Sequence, residues 1–304
     1  VTSTPDNRTT QRHRLKTALK VGVTLALCGM LYVAADWRAV ARQLAELDGR
    51  LLVAALALFV PQTIVSAWRW SRLIAPWGKL SLTNATAHTL IGSAWNLIVP
   101  SKLGDFSKAA LVPLTEPAAR KNLAVCVGVE KVADLAALAL ATLIGVQLDA
   151  PSAAVVLAVT LAVIYLLQRA LQSRGLPLAL VACTIGTGLL WSLHLTQIHL
   201  FLLSAGVNVS PAGSLARVPT ALLAGILPAA FCGIGTRDAA LVWLFADVAP
   251  PATMAAVGLL TALRYVVPGA AGIPLLWVRR RSAAANRRVD RFANRRRSAP
   301  AVAS

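Results

Sequence analysis

Apolar residues along this chain come in long runs, not in alternation. The runs Ala18 to Ala35, Leu51 to Trp70, Asn122 to Gln147, Ala153 to Leu171, Leu178 to Leu203 and Ala252 to Trp277 are near or above the roughly 20 apolar residues that a helix needs to cross a bilayer core. Strand-like alternation is absent, which argues against a β-barrel. The pattern predicts an all-α, polytopic membrane helix bundle with six full spans. Between the first two, Trp37 to Asp48 reads as a short amphipathic helix at the interface.

Two further stretches are apolar overall but interrupted. Thr83 to Val112 contains Asn96, Pro100, Lys102, Gly104, Asp105 and Lys108; Leu215 to Phe245 contains Pro228, Gly233, Gly235, Arg237 and Asp238. Proline removes a backbone donor and glycine permits a turn, so each stretch is read as two half-helices that meet inside the membrane, shielded from lipid by protein. With these two re-entrant segments, spans and breaks fall in the order of an inverted-topology repeat, an architecture that places substrate near the midplane between discontinuous helices. Cysteines replacing Thr115 and Ala212 should then react with an impermeant maleimide from opposite faces of the membrane; labelling from one face would remove the repeat.

Composition agrees with a membrane chain: 57% of the 304 residues are hydrophobic and 14% charged, and the mean hydropathy is +0.66. The net charge of +18 is concentrated at the ends. Arg8, Arg12, Arg14, Lys16 and Lys20 precede the first apolar run, and nine arginines lie between Arg279 and Arg297. Without interleaved aromatics these clusters read as positive-inside signals that also meet anionic lipid, and no nucleic-acid partner is expected. Trp68-Arg69-Trp70 with Arg72, Trp77 and Lys79 marks a cytoplasmic interface, as do Arg120, Lys121, Arg169 and Arg174. The expected organisation is a basic cytoplasmic segment over 1–17, a transmembrane domain over 18–278 and a basic tail over 279–304, expected to be disordered. Both termini then lie in the cytoplasm of a bacterial inner (plasma) membrane. Val21 to Ala35 could pass for a signal-peptide core, but no clear cleavage site follows it, so a signal anchor is expected.

Candidate chemistry gathers at the breaks. Half-helix ends expose unsatisfied backbone groups, and their N-terminal ends favour anions. Asp105 and Asp238 sit where a carboxylate caps the following half-helix, and that is the leading reading for each. Lys102, Lys108 and Arg237 oppose the helix dipole and so require a nearby acid or an anionic ligand; with Asn96 they form the candidate substrate site. Glu130 and Asp134 share one face of a membrane helix, with Lys131 about 100° away. Such charges cost about 2.5–3.5 kcal/mol each on insertion scales, so they are normally paired or water-facing. Asp105, Glu130, Asp134, Asp238 and Arg264 are therefore candidates for a gate or ion-pair network, with Arg264 as the partner of the acids on the Glu130 helix. Counting Lys102, Lys108, Lys131, Arg237 and Arg264 against these four carboxylates leaves one positive charge in surplus, which favours an anionic guest.

No metal and no cofactor is expected. His194 and His199 are five apart, off the spacing of a helical metal pair, and Cys28, Cys126, Cys183 and Cys232 have no paired spacing. Neither a nucleotide-binding loop nor a nucleophile motif is present, so no catalytic residue is assigned.

The set Trp68-Arg69-Trp70, Asn96, Pro100, Gly104-Asp105 with Lys108, Glu130 with Asp134, and Gly233-Ile-Gly235-Thr-Arg237-Asp238 resembles the lysylphosphatidylglycerol synthase transmembrane-region family, also called flippase-like, over about Ala18 to Trp277. This chain has Lys108 and Lys131 where that family has arginine, and Asp238 where it has glutamate. The swaps keep the charge signs, but the two lysines replace a planar fork with a point charge. The resemblance implies a domain that moves or presents a lipid: a phospholipid, an aminoacylated phospholipid, or a polyprenyl-linked or other glycolipid of the cell envelope. The soluble aminoacyl-transferase domain of synthase members is not among these residues, so the chain is not expected to be an enzyme. Two other classes stay open: an accessory subunit partnering a membrane glycosyltransferase or lipid synthase, and a polyprenyl-phosphate-dependent transferase with Asp105, Glu130 or Asp134 as base.

Overall fold

The computed structural model describes residues 36–97, 104–112, 119–145, 169, 177–225 and 235–297. The predicted first span, nearly all of 153–171, and Pro100, Lys102, Pro228 and Gly233 lie outside these residues.

Among the described residues the regular secondary structure is all helical, with no strand. The helices are α1 (Trp37–Ala45), α2 (Gly49–Ala57), α3 (Phe59–Leu73), α4 (Leu82–Asn96), α5 (Phe106–Leu111), α6 (Ala119–Gly145), α7 (Pro177–Ser204), α8 (Pro211–Ala224), α9 (Thr236–Leu244) and α10 (Pro251–Arg297). Their starts follow ordinary capping chemistry. Asp36, Asp48, Ser81 and Ser210 accept backbone N–H groups from the first turns of α1, α2, α4 and α8, and Pro211 occupies the first turn of α8, where a missing donor is harmless.

Gly49–Leu73, which is α2 running into α3, and Pro251–Val278 of α10 are long and apolar enough to cross a membrane. Helices α6 and α7 have 27 and 28 residues, about 40 Å at 1.5 Å per residue. Val60, Ile144, Val181, Ile185 and Ile273 are exposed on these helices, the surface that a lipid-facing bundle presents. Beyond Val278, α10 continues through the arginine-rich stretch to Arg297.

The two interrupted stretches are each a longer limb and a shorter one: α4 then α5, and α8 then α9. Their packing is exchanged. Limb α4 lies mainly along α10, whereas limb α8 lies mainly along α6. Both approaches are close enough that a methyl on Gly272 would strike the Leu90 backbone and one on Gly145 the Leu215 backbone, the use that membrane helices make of small residues. Helix α3 packs on α7 and α4, and α1 rests on α10 through Val40 against Ala255 and Ala256.

The two larger apolar cores among the described residues matter for the site. One joins α3, α4, α6 and α7 through Trp70, Leu73, Ala85, Leu123, Cys126 and Cys183. The other joins α6 to α10 through Leu138, Ile198, Leu202, Val218, Phe245 and Val257. On α6 the charged turn Glu130–Asp134 falls between Cys126 of the first core and Leu138 of the second, and on α7 Thr187 falls between Cys183 and Ile198. An ionic layer therefore sits at mid-length of α6 and α7, with apolar packing on either side.

Candidate functional site

Arg69 is the hub of that layer. Its position on α3, seven residues after Gln62, puts both polar side chains on the buried face with Phe59 and Leu73. Its Nε donates to Glu130 Oε1 at 3.3 Å, and its Nη1 donates to Asp134 Oδ1 at 2.7 Å and to Thr187 Oγ1 at 2.8 Å. Trp191 Nε1 adds a bond to Asp134 Oδ1 at 3.3 Å. On the far side of Glu130, Lys108 Nζ lies 2.7 Å from Oε2 and 5.0 Å from the centre of the Trp70 ring. Glu130 is wholly buried, and both of its oxygens are taken by cations. A buried carboxylate has to be neutralised or paired, and here two charge-assisted bonds do it.

The first break is tied into the same layer. Gly104 lies so close to the end of α4 that a Cβ there would be 2.5 Å from Asn96 N and 2.6 Å from Trp95 C; only a bare backbone fits. The chain then starts α5, with Asp105 at its N-cap. The Asp105 side chain makes no capping bond. It accepts from Asn96 Nδ2 at 2.8 Å and pairs with Lys131. The capping role expected for Asp105 is overturned by a stronger competitor, since an ammonium in a low-dielectric interior outbids a backbone N–H. Asn96 bridges the break through this carboxylate.

The second break is built differently. Gly235 stands at φ +102°, a conformation that side-chain-bearing residues rarely adopt. Arg237 and Asp238 follow, 1% and 0% exposed. Asp238 Oδ1 accepts from Arg237 Nε at 2.7 Å, while Oδ2 reaches Gly235 N only at 3.4 Å. Asp238 is thus a weak cap and mainly the counter-ion of its neighbour. Arg237 Nη2 also donates to the Gly258 carbonyl at 2.8 Å, and a Cβ on Gly258 would come within 2.8 Å of Asp238 Oδ1. The pair is pressed directly against the backbone of α10.

Of the residues predicted from sequence, Asn96, Asp105, Lys108, Glu130 and Asp134 come together with Lys131, Arg237 and Asp238 form a separate pair, and Lys102 lies outside the described residues. Two corrections follow. The guanidinium that pairs with Glu130 and Asp134 is Arg69, not Arg264; Arg264 stands instead over the Trp191 ring at 5.6 Å. Arg69 and Trp70 are buried, so of the cluster read as an interface marker it is Arg72 and Lys79 that are exposed. Arg69 had one legible signal, its register with Gln62. Thr187 had none, being one small polar residue in an apolar run.

A helix bundle with two broken segments and a layer of ion pairs between apolar cores defines an integral membrane protein built around a polar interior. Residues 17–182 match the family described as lysylphosphatidylglycerol synthase TM region, and the chain belongs to it. Comparison with curated proteins gives no significant match.

Proposed function

We propose that this chain translocates or presents a lipid with an anionic head group across a bacterial inner membrane, its termini cytoplasmic and no chemistry performed on the lipid. The observation that carries the reading is the ionic layer at mid-length of α6 and α7. Six ionisable side chains, Arg69, Asp105, Lys108, Glu130, Lys131 and Asp134, are drawn together there. Membrane proteins keep such groups where they shape a polar compartment or path, and non-helical backbone at that depth has the same meaning. The exchanged packing, α4 on α10 and α8 on α6, supports an inverted repeat whose halves could rock about the layer. Membership in a lipid-synthase membrane-region family supports a lipid as the cargo.

A transferase with Glu130 as base fits less well, because both oxygens of that carboxylate are engaged by cations. Purified chain in liposomes should raise the scrambling of a fluorescent phosphatidylglycerol above that of empty vesicles, and Lys108→Ala, which loosens α5 from Glu130, should change the rate. No rate above background for any anionic lipid would replace this reading with that of an accessory subunit for a membrane enzyme.

A further inference from the structure

The membrane-length stretch Gly49–Leu73 is not one rod. It breaks at Leu58, between α2 and α3. Pro61 offers no N–H to the carbonyl of Ala57 four residues back, and Leu58 N reaches Ala55 O only at 3.3 Å. Side chains of the neighbouring helix take over where the backbone ladder thins. Gln197 Nε2 of α7 donates to the Ala55 carbonyl at 2.8 Å, while Gln62 Nε2 donates to Gln197 Oε1 at 3.2 Å and to the Leu193 carbonyl at 3.3 Å. Both amides are buried, where an aliphatic side chain would pack without any partner to find.

The two sides of this joint are held unequally. Helix α3 buries Phe59, Gln62, Ala67, Arg69, Trp70 and Leu73, and the ion pairs of Arg69 with Glu130 and Asp134 tie it to α6. It also lies so close to α7 that a Cβ on Gly186 would be 3.1 Å from Arg69 Cβ. Of the nine residues of α2, Ala55 alone is buried. An element with few buried residues opens at lower cost than the one it joins, and bonds between neutral amides are weaker than the charge-assisted bonds that hold α3.

We propose that the joint at Leu58 is a hinge and that the Gln62–Gln197 pair is its latch: α2 swings on α7 when the amides part, while α3 keeps Arg69 in the ionic layer. The use of this hinge in transport rests on the lipid-handling reading above and deepens it by naming the limb that moves. Gln62 stands seven residues before Arg69, about 10 Å along the helix. A bend there opens a way toward the layer without parting its ion pairs.

Amide hydrogen exchange of the full chain in lipid nanodiscs, read by mass spectrometry beside the scrambling of fluorescent phosphatidylglycerol, tests this. In Gln197→Leu the amides of residues 51–57 are expected to exchange about fivefold faster or more, and those of 63–73 to stay unchanged. Gln197 bonds a carbonyl and no amide N–H of α2, so a change across 51–57 reports motion of the whole limb. Pro61→Ala restores the missing donor and is expected to slow exchange over 51–57 and to cut scrambling about fivefold or more. Exchange over 51–57 that is the same in the unmutated chain and both variants overturns the hinge and leaves a fixed kink. Exchange that responds as expected while scrambling is the same in Pro61→Ala as in the unmutated chain overturns the use of the hinge in transport. Exchange that responds while the unmutated chain scrambles no faster than empty vesicles supports the hinge and overturns the lipid reading on its own. Should Gln197→Leu fold poorly, Pro61→Ala decides: slower exchange over 51–57 supports the hinge, and unchanged exchange overturns it.

Discussion

Replacing Glu130 with alanine is expected to destabilise the protein more than any other single change in the ionic layer. The carboxylate is wholly buried and joins Arg69 of α3 to Lys108 of α5. Its loss leaves the Lys108 ammonium without its hydrogen-bonded counter-ion and the Arg69 guanidinium with only the bonds to Asp134 and Thr187, in a layer with apolar cores on both sides. Removing one partner of a buried ion pair costs about 3–5 kcal/mol, which for a chain of this size lowers the melting midpoint by roughly 10 °C. Thermal unfolding in detergent measures this. Lys79→Ala, at an exposed position, is the control and should stay within about 0.5 kcal/mol. A Glu130→Ala midpoint equal to that of the control would mean that the layer is open to water and that its pairs are weakly held.

The pair in the second break should behave as a unit. Asp238→Ala strands Arg237, and a loss of about 3–5 kcal/mol is again expected. The double variant Arg237→Met with Asp238→Leu removes both charges at similar volume and should recover most of the stability, since an apolar replacement of a buried pair is often neutral or better. Lipid scrambling should not recover with it if Arg237 meets the cargo. Unfolding and scrambling measured on the same preparations separate the two roles: a double variant that is both stable and fully active would reduce Arg237–Asp238 to a packing device.

Much of this architecture was legible in the chain because bilayer physics writes it there. Run lengths gave the long helices, and the sequence signals of Gly104 and Gly235 marked the two breaks that the structure describes on their far sides, at α5 and α9. Glu130, Asp134 and Lys131 were visible as charges that a membrane helix cannot leave unpaired. What could not be read was who pairs with whom. Arg69 lies 61 residues from Glu130 in sequence, and its flanking tryptophans imitate an interfacial belt. Arg264 had the right charge and depth for the acids of α6, but it faces the Trp191 ring. The expected cap failed at Asp105 for a related reason: a cap is a local rule, and there it yields to a cation brought in by another helix, whereas Asp238 keeps its bond from the Gly235 N–H while also serving as counter-ion to the residue before it.

A membrane potential does work only on net charge, about 2.3 kcal/mol per elementary charge for 100 mV across the full field. The three cations and three carboxylates around Arg69 move as an electrically silent block. Among the described interior residues it is Arg264, set over the Trp191 ring with no salt bridge of its own, that gives the voltage something to hold.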